Sequence, residues 1–135
     1  MQRRFTVIVV DDSEKNRFLL KCSLRSCPTL LLIGKLANGK HLLSYLAGES
    51  IYKDRRKHPL PDFLFLDVSN PALNAKDILA WLKAHALTDL KVVVFTEPNL
   101  PEVHQEFLRL GAYACYVKPQ FENNLEEIAA RCGGQ

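Results

Sequence analysis

The sequence lacks the features that mark several classes of protein. No run of about 18 apolar residues predicts a membrane-spanning helix, and no apolar signal region follows Met1. No glycine-rich turn follows the first apolar run, which argues against a dinucleotide-binding enzyme. The four cysteines form neither a CxxC pair nor a zinc spacing, so we expect reduced cysteines that pack among apolar or helical residues: Cys22, Cys27, Cys115 and Cys132. These absences together predict a soluble, cytoplasmic protein that contacts no membrane.

Charge and length are equally moderate. The 135 residues carry a net charge of +3, and the length fits one domain covering residues 1–135 without a linker or repeat. The basic excess lies mainly in residues 53–58 and at Arg3 and Arg4. A solvated loop and a terminus explain these charges better than a nucleic-acid site, which we do not expect. The histidines share no motif, so solvent exposure is predicted for all four: His41, His58, His85 and His104.

Five short apolar runs alternate with segments of helical periodicity. The predicted strands are Phe5–Val10, Leu30–Gly34, Phe63–Leu66, Leu90–Phe95 and Ala112–Val117. The predicted helices run from a cap at Asp12 or Ser13 to about Ser26, over His41–Ala47 and Ala75–Ala86, from near Asn99 to Leu110, and from Phe121 to Cys132. This alternation predicts a doubly wound α/β fold of the flavodoxin-like type. Its parallel sheet would have strand order 2-1-3-4-5, with helices on both faces.

The ends of the strands carry the candidate chemistry. Phe63–Leu66 is apolar without alternation, which is typical of a strand buried on both faces, and it stops at Asp67. Three other strands also end at polar side chains: Asp11 with Asp12, Thr96, and Lys118. In the predicted strand order the first and third strands are neighbours, so three carboxylates would meet at the carboxyl edge of the sheet.

Three carboxylates at close range repel one another unless a cation compensates them. Oxygen ligands of this kind favour Mg²⁺, and the nearby Lys118 would bring the net charge of the site close to zero. Such a site can receive an anionic phosphoryl group, whose oxygens Lys118 and the Thr96 hydroxyl can hold. Asp67, at the end of the central strand, is the predicted nucleophile. Taken singly, Asp12, Asp67 or Thr96 could each be no more than a cap.

The segments VIVVDDS, PDFLFLD with Pro71, VVVFT and GAYACYVKP resemble the receiver domains of two-component response regulators. The layout is similar to that of the stand-alone chemotaxis regulator. The charged loop before Pro61 resembles that of regulators paired with bacterial phytochrome kinases. The resemblance implies phosphorylation by a histidine kinase or phosphotransfer protein, with no catalysis beyond the domain's own phosphorylation and dephosphorylation. It implies these roles: Asp11 and Asp12 as metal ligands, Asp67 as phospho-acceptor, the Ser69 main-chain carbonyl as a further metal ligand, Thr96 as switch hydroxyl, and Lys118 as the lysine before a proline.

Three departures from the family pattern affect how a signal would be read out. In the loop after the phospho-acceptor, Asn70 and Ala75 replace the usual methionine and glycine. Glu97 stands where a small residue usually follows the switch hydroxyl, and Cys115 replaces an aromatic residue three positions before the lysine. Tyr116 points to the opposite face of a strand from Cys115 and cannot replace that ring. Cys115 would leave a flat apolar patch, so we expect a homodimer or kinase contact through the face of the fourth and fifth helices. The alternative is a pseudo-receiver, a binding module that does not switch by phosphorylation.

Overall fold

The strands and helices alternate along the chain as the hydrophobic pattern predicts. The computed structural model describes residues 4–11, 13–25, 27–67, 74–87, 89–96 and 101–117. In these residues the elements are β1 Phe5–Val10, α1 Glu14–Arg25, β2 Leu30–Leu36, α2 Gly39–Ala47, β3 Phe63–Asp67, α3 Ala75–Ala84, β4 Lys91–Thr96, α4 Pro101–Arg109 and β5 Ala114–Val117. A single 3-10 turn, Ser50–Tyr52, follows α2. The fifth predicted helix, Phe121 to Cys132, lies outside the described residues.

The five strands form one parallel sheet in the order β2-β1-β3-β4-β5, which confirms the predicted fold class. The chain therefore runs outward from β1 to β2, crosses back to β3, and continues to β5. This reversal makes β1 and β3 neighbours at the centre of the sheet. Every residue of β3 is buried, as its unbroken apolar run predicts.

Side chains of β3 alternate between two apolar layers. Phe63 and Phe65 belong to the layer that Leu24 of α1 covers. Leu64 and Leu66 belong to the opposite layer, which contains buried residues of α2, α3 and α4. Both faces of the sheet are thus covered by helices.

Several boundaries differ from the predicted ones for local reasons. The second helix begins at Gly39 instead of His41, because the Asn38 side chain accepts a hydrogen bond from the His41 backbone N–H at 2.9 Å. The third helix ends at Ala84 instead of Ala86, and Ala86 has a left-handed φ of 57° that no helix continues. The second strand extends to Leu36, the fourth includes Thr96, and the fifth begins only at Ala114.

The charged segment after α2 is solvated only in part: four of its residues are exposed as predicted, whereas Arg55 and His58 are half-buried. Arg55 is half-buried, and its Nη1 donates hydrogen bonds to the carbonyl oxygens of Tyr45 at 2.7 Å and His58 at 3.1 Å. Its Nη2 donates to the Leu46 carbonyl oxygen at 2.7 Å. The Tyr45 ring meets Tyr52 and His58 with centroid distances of 4.9 and 5.7 Å. The segment is therefore docked onto the carboxyl end of α2, and His58 is half-buried where exposure was predicted.

Candidate functional site

Three of the predicted site residues lie at the carboxyl ends of adjacent strands. Val10 of β1 pairs with Leu66 of β3, so Asp11 and Asp67 each come one residue after a paired position. Asp67 in turn pairs with Phe95 of β4, and Thr96 is the next residue. All three polar side chains are buried: Asp11 is 4% exposed, Asp67 6% and Thr96 0%. The fold therefore brings two of the three predicted carboxylates and the Thr96 hydroxyl to one edge of the sheet.

Asp11 also organises the start of α1. Its Oδ1 accepts a hydrogen bond from the Ser13 backbone N–H at 2.9 Å, a short-range turn that leads the chain into the helix. The Asp11 backbone N–H donates to the Leu36 carbonyl at 3.0 Å and fixes Asp11 against the neighbouring strand. α1 begins at Glu14, so Ser13, one of the two predicted caps, lies at the N-cap position.

His104 on α4 joins the site, a contact that the sequence pattern did not predict. Its Nε2 is hydrogen-bonded to Oγ1 of Thr96, and the side chain is half-buried where exposure was predicted. The signal was present in the helical period, because His104 lies beside the inward-facing Val103 and one turn before the buried Phe107. A histidine next to a buried stripe, close in sequence to a strand end, was a better candidate for a contact than for solvent.

Cys115 supports the same contact from β5. Its Sγ lies 3.6 Å from the His104 carbonyl oxygen, to which the thiol donates, and burial raises the pKa of Cys115 to about 11. Cys115 packs against the apolar layer of Leu64 and Leu66, whereas Tyr116 packs in the layer of Phe63 and Phe65. Tyr116 thus lies on the opposite face, as strand alternation predicts. Cys115 itself is half-buried behind α4 and forms no flat exposed patch.

The remaining cysteines and the tryptophan have ordinary surroundings. Cys27 is buried and packs in the apolar layer, whereas Cys22 is exposed, contrary to the predicted packing role. All three described cysteines are free. The half-buried Trp81 packs against the core and stacks on His85 with a centroid distance of 3.9 Å, so it is a packing residue.

Four predicted functional positions lie outside the described residues: Asp12, Ser69, Glu97 and Lys118. Within the described ranges, no group of three or more His, Cys, Asp and Glu side chains is placed to hold a metal ion. Since two of the predicted ligands are among the undescribed positions, the Mg²⁺ site remains a prediction. No helix in the described part of the chain is both long and apolar enough to cross a membrane.

Comparison with known proteins places this geometry in context. The family model for the response regulator receiver domain matches residues 7–130. A protein-glutamate methylesterase/protein-glutamine glutaminase of Clostridium acetobutylicum is 31% identical over 119 residues, which cover 87% of this chain and 31% of that protein. The chain thus spans about a third of the length of the curated relatives it matches.

Solved structures share the fold at lower identity. A response regulator in red light signalling of R. palustris superposes with a TM-score of 0.80 at 23% identity, covering 93% of this chain and 90% of that one. The Mn²⁺-bound form of the response regulator Rcp1 gives a TM-score of 0.71 at 23% identity, covering 93% and 88% of the two chains. Both comparisons support the five-stranded α/β fold described above.

Proposed function

The chain belongs to the family of response regulator receiver domains, and we propose that it accepts a phosphoryl group on Asp67 from the phosphohistidine of a histidine kinase or phosphotransfer protein. The observation that carries the assignment is the position of Asp67. Asp67 is the last residue of the central strand and is 6% exposed. Asp11 and Thr96 flank it at the sheet edge. A carboxylate in this position can act as a nucleophile toward a group presented from above the edge.

The reaction is a single displacement at phosphorus. A carboxylate oxygen of Asp67 forms the new bond to phosphorus while the phosphorus–nitrogen bond to the donor histidine breaks. The donor imidazole keeps the electron pair and takes up a proton. The Thr96 hydroxyl and the Lys118 ammonium hold phosphoryl oxygens, so that negative charge on the transferred group meets a hydrogen-bond donor and a cation.

Asp11 and Asp67 have donor chemistry that fits Mg²⁺. Both offer carboxylate oxygens, which are the ligands that this hard cation prefers, and both are buried where the charges are poorly screened. Asp12 and the Ser69 carbonyl would complete the protein ligands. The cation supplies charge neutralisation between the acidic edge and the incoming phosphoryl group. The similar response regulator Rcp1 has a Mn²⁺-bound form, which is in line with such a site.

The pseudo-receiver is the second candidate, and Glu97 is the residue that favours it. A carboxylate beside the switch hydroxyl would repel an anionic donor. The retained Asp11 and Asp67 favour the phosphorylated receiver, because a module that only binds a partner has no need for two buried acids at one edge. Fluorescence or calorimetric titration with Mg²⁺ separates the two candidates. A true receiver binds the ion and loses that binding in Asp11→Asn, whereas a pseudo-receiver binds it in neither protein.

The domain would act as a signalling module, without a catalytic activity beyond its own phosphorylation and dephosphorylation. We place it in the cytoplasm as a single domain over residues 1–135, with neither nucleic acid nor membrane as partner. A homodimer or kinase contact through α4 and the predicted fifth helix remains part of the proposal. Leu108 of α4 is 48% exposed, so Leu108→Arg tests it by sedimentation better than a change at the half-buried Cys115. A wild-type dimer that is equally tight in Leu108→Arg would exclude that face of α4.

Intact-mass measurement tests the function itself. Incubation with acetyl phosphate and Mg²⁺ should add one phosphoryl group to the wild type and none to Asp67→Asn. Chelation of the Mg²⁺ should prevent the gain. Asp62→Asn is a matched control, because Asp62 lies at the opposite end of β3, where its Oδ2 accepts the Thr6 backbone N–H at 2.9 Å. A mass gain that survives in Asp67→Asn would overturn the assignment.

A further inference from the structure

Thr96 is held by a side chain from a helix. Its Oγ1 is fully buried and hydrogen-bonded to Nε2 of His104 on α4. Val94 pairs with Cys115 and Thr96 with Val117, so Thr96 and Cys115 point to the same face of the sheet. The thiol of Cys115 donates to the His104 carbonyl oxygen at 3.6 Å. His104 is therefore fixed at two points, through its ring by β4 and through its backbone by β5.

We propose that His104 is the positioning residue of the Thr96 hydroxyl, and that it changes from hydrogen-bond acceptor to donor when Asp67 carries a phosphoryl group. The inference rests on the proposed function. The ring that responds to the Thr96 hydroxyl then comes from α4, because β5 contributes only the small side chain of Cys115 at this place. The state of Asp67 is then transmitted to α4 through a ring nitrogen.

The hydrogen count of the two side chains gives the physical reason. A threonine hydroxyl has one hydrogen to donate, and a neutral imidazole has one N–H and one acceptor nitrogen. In the resting state that we propose, Thr96 donates that hydrogen to Nε2 of His104, with which Oγ1 is in hydrogen-bond contact. A phosphoryl oxygen on Asp67 is a charged and stronger acceptor than an imidazole nitrogen, so the hydrogen turns toward it.

The contact between Thr96 and His104 can then persist only in the reverse direction. The Thr96 oxygen still has lone pairs, so His104 must carry its hydrogen on Nε2 and donate it. In the neutral ring this is an exchange of tautomers: one proton leaves Nδ1 to solvent and one is taken up at Nε2, with no net change in charge. The buried Oγ1 then donates to the phosphoryl group and accepts from the helix.

The change of tautomer also alters what α4 presents. Nδ1 of His104 turns from a donor into an acceptor when Nε2 takes the hydrogen. On its exposed side α4 is joined to α3 by an ion pair between Lys76 and Glu106, with Nζ and Oε1 2.7 Å apart.

Nitrogen NMR of the imidazole rings tests the proposal directly, because the shift of each ring nitrogen reports whether it carries hydrogen. Spectra are recorded on the full chain with Mg²⁺, and with Mg²⁺ plus beryllofluoride as a phosphoryl analogue, near pH 8, where ordinary imidazoles are neutral. His104→Phe identifies the His104 signals, and the exposed His41 is the internal control. We expect Nε2 of His104 to lack hydrogen without beryllofluoride and to carry it with beryllofluoride, while His41 is unchanged.

Thr96→Val removes the hydroxyl with little change in shape and should abolish the response of His104. Binding of the analogue is followed separately by its fluorine signal. Analogue binding without a change at Nε2, or a change that persists in Thr96→Val, overturns the role of His104 and leaves the proposed function standing. A wild type that neither binds the analogue nor gains a phosphoryl group overturns the proposed function and this inference with it.

Discussion

Replacing Arg55 with methionine should destabilise the protein far more than its position in a charged segment suggests. The guanidinium donates three hydrogen bonds to main-chain carbonyls, two of them at the carboxyl end of α2, at 2.7, 2.7 and 3.1 Å. Each hydrogen bond from a charged donor contributes about 1.5–3 kcal/mol, but bonds from one group are not additive and water recovers part of the loss. Methionine keeps most of the apolar stem. We expect Arg55→Met to lower the free energy of unfolding by about 2–4 kcal/mol.

Arg56→Met is the matched control, because it removes the same charge one residue further on. Arg56 is exposed, and its backbone N–H, which donates to Asp54 Oδ1 at 2.9 Å, survives the substitution. Its expected cost is below about 0.5 kcal/mol. Urea unfolding followed by circular dichroism gives both values, and Tm should fall by about 6–12 °C in Arg55→Met alone. If the two variants agree within about 0.5 kcal/mol, Arg55 does not hold the segment to α2.

Three further predictions concern other parts of the structure. Gly48 has a φ of 69°, and a Cβ there would lie 3.0 Å from Nη2 of Arg55. Gly48→Ala should therefore lower the free energy of unfolding by at least about 1–2 kcal/mol in the same urea assay. An unchanged free energy of unfolding would contradict this geometry. The pKa of Cys115 is raised to about 11 from 9.0, so its thiolate fraction near pH 8 is about a hundredth of that of an ordinary thiol. Iodoacetamide should therefore label the exposed Cys22 much faster than Cys115. Equal labelling rates in peptide mapping would be inconsistent with the burial of Cys115. The hydrogen bond and charge of Lys76 lower the pKa of Glu106, so Lys76→Met should raise that pKa toward the ordinary 4.5 in an NMR titration. The stabilisation from this pair is present above pH 4.5 and is lost as the pH falls through the lowered pKa. An unchanged pKa in Lys76→Met would exclude the pair in solution.

The architecture and the strand-end positions of Asp11, Asp67 and Thr96 could be predicted because they depend on short-range pattern. An apolar run that ends on a polar residue defines both a strand and the edge to which it delivers that residue, as with Phe63–Leu66 and Asp67. Helix caps depend on the side chain at one position and the amides two or three residues later. Asn38 caps α2 in this way, and the predicted start at His41 lies within one helical turn of the observed start at Gly39.

The roles of Arg55 and His104 could not be predicted in the same way. Arg55 is one of several neighbouring cations, and only the path of the chain after Gly48 turns its guanidinium back toward the carbonyls of α2. His104 meets Thr96 because α4 packs against the face of the sheet to which Thr96 and Cys115 point. Both contacts depend on how a helix is placed relative to another element, and local hydrophobic periodicity does not specify that placement.

Mapping the phosphorylated carboxylate tests the central claim most directly. Borohydride reduces an acyl phosphate to the alcohol, so the aspartate that carried the phosphoryl group becomes homoserine and is located by peptide sequencing in a mass spectrometer. After incubation with acetyl phosphate and Mg²⁺, we predict homoserine at position 67 and at none of the other aspartates. Homoserine at Asp11 or at Asp62, or its absence from every peptide after a confirmed phosphoryl gain, would contradict the assignment of Asp67 as the phospho-acceptor.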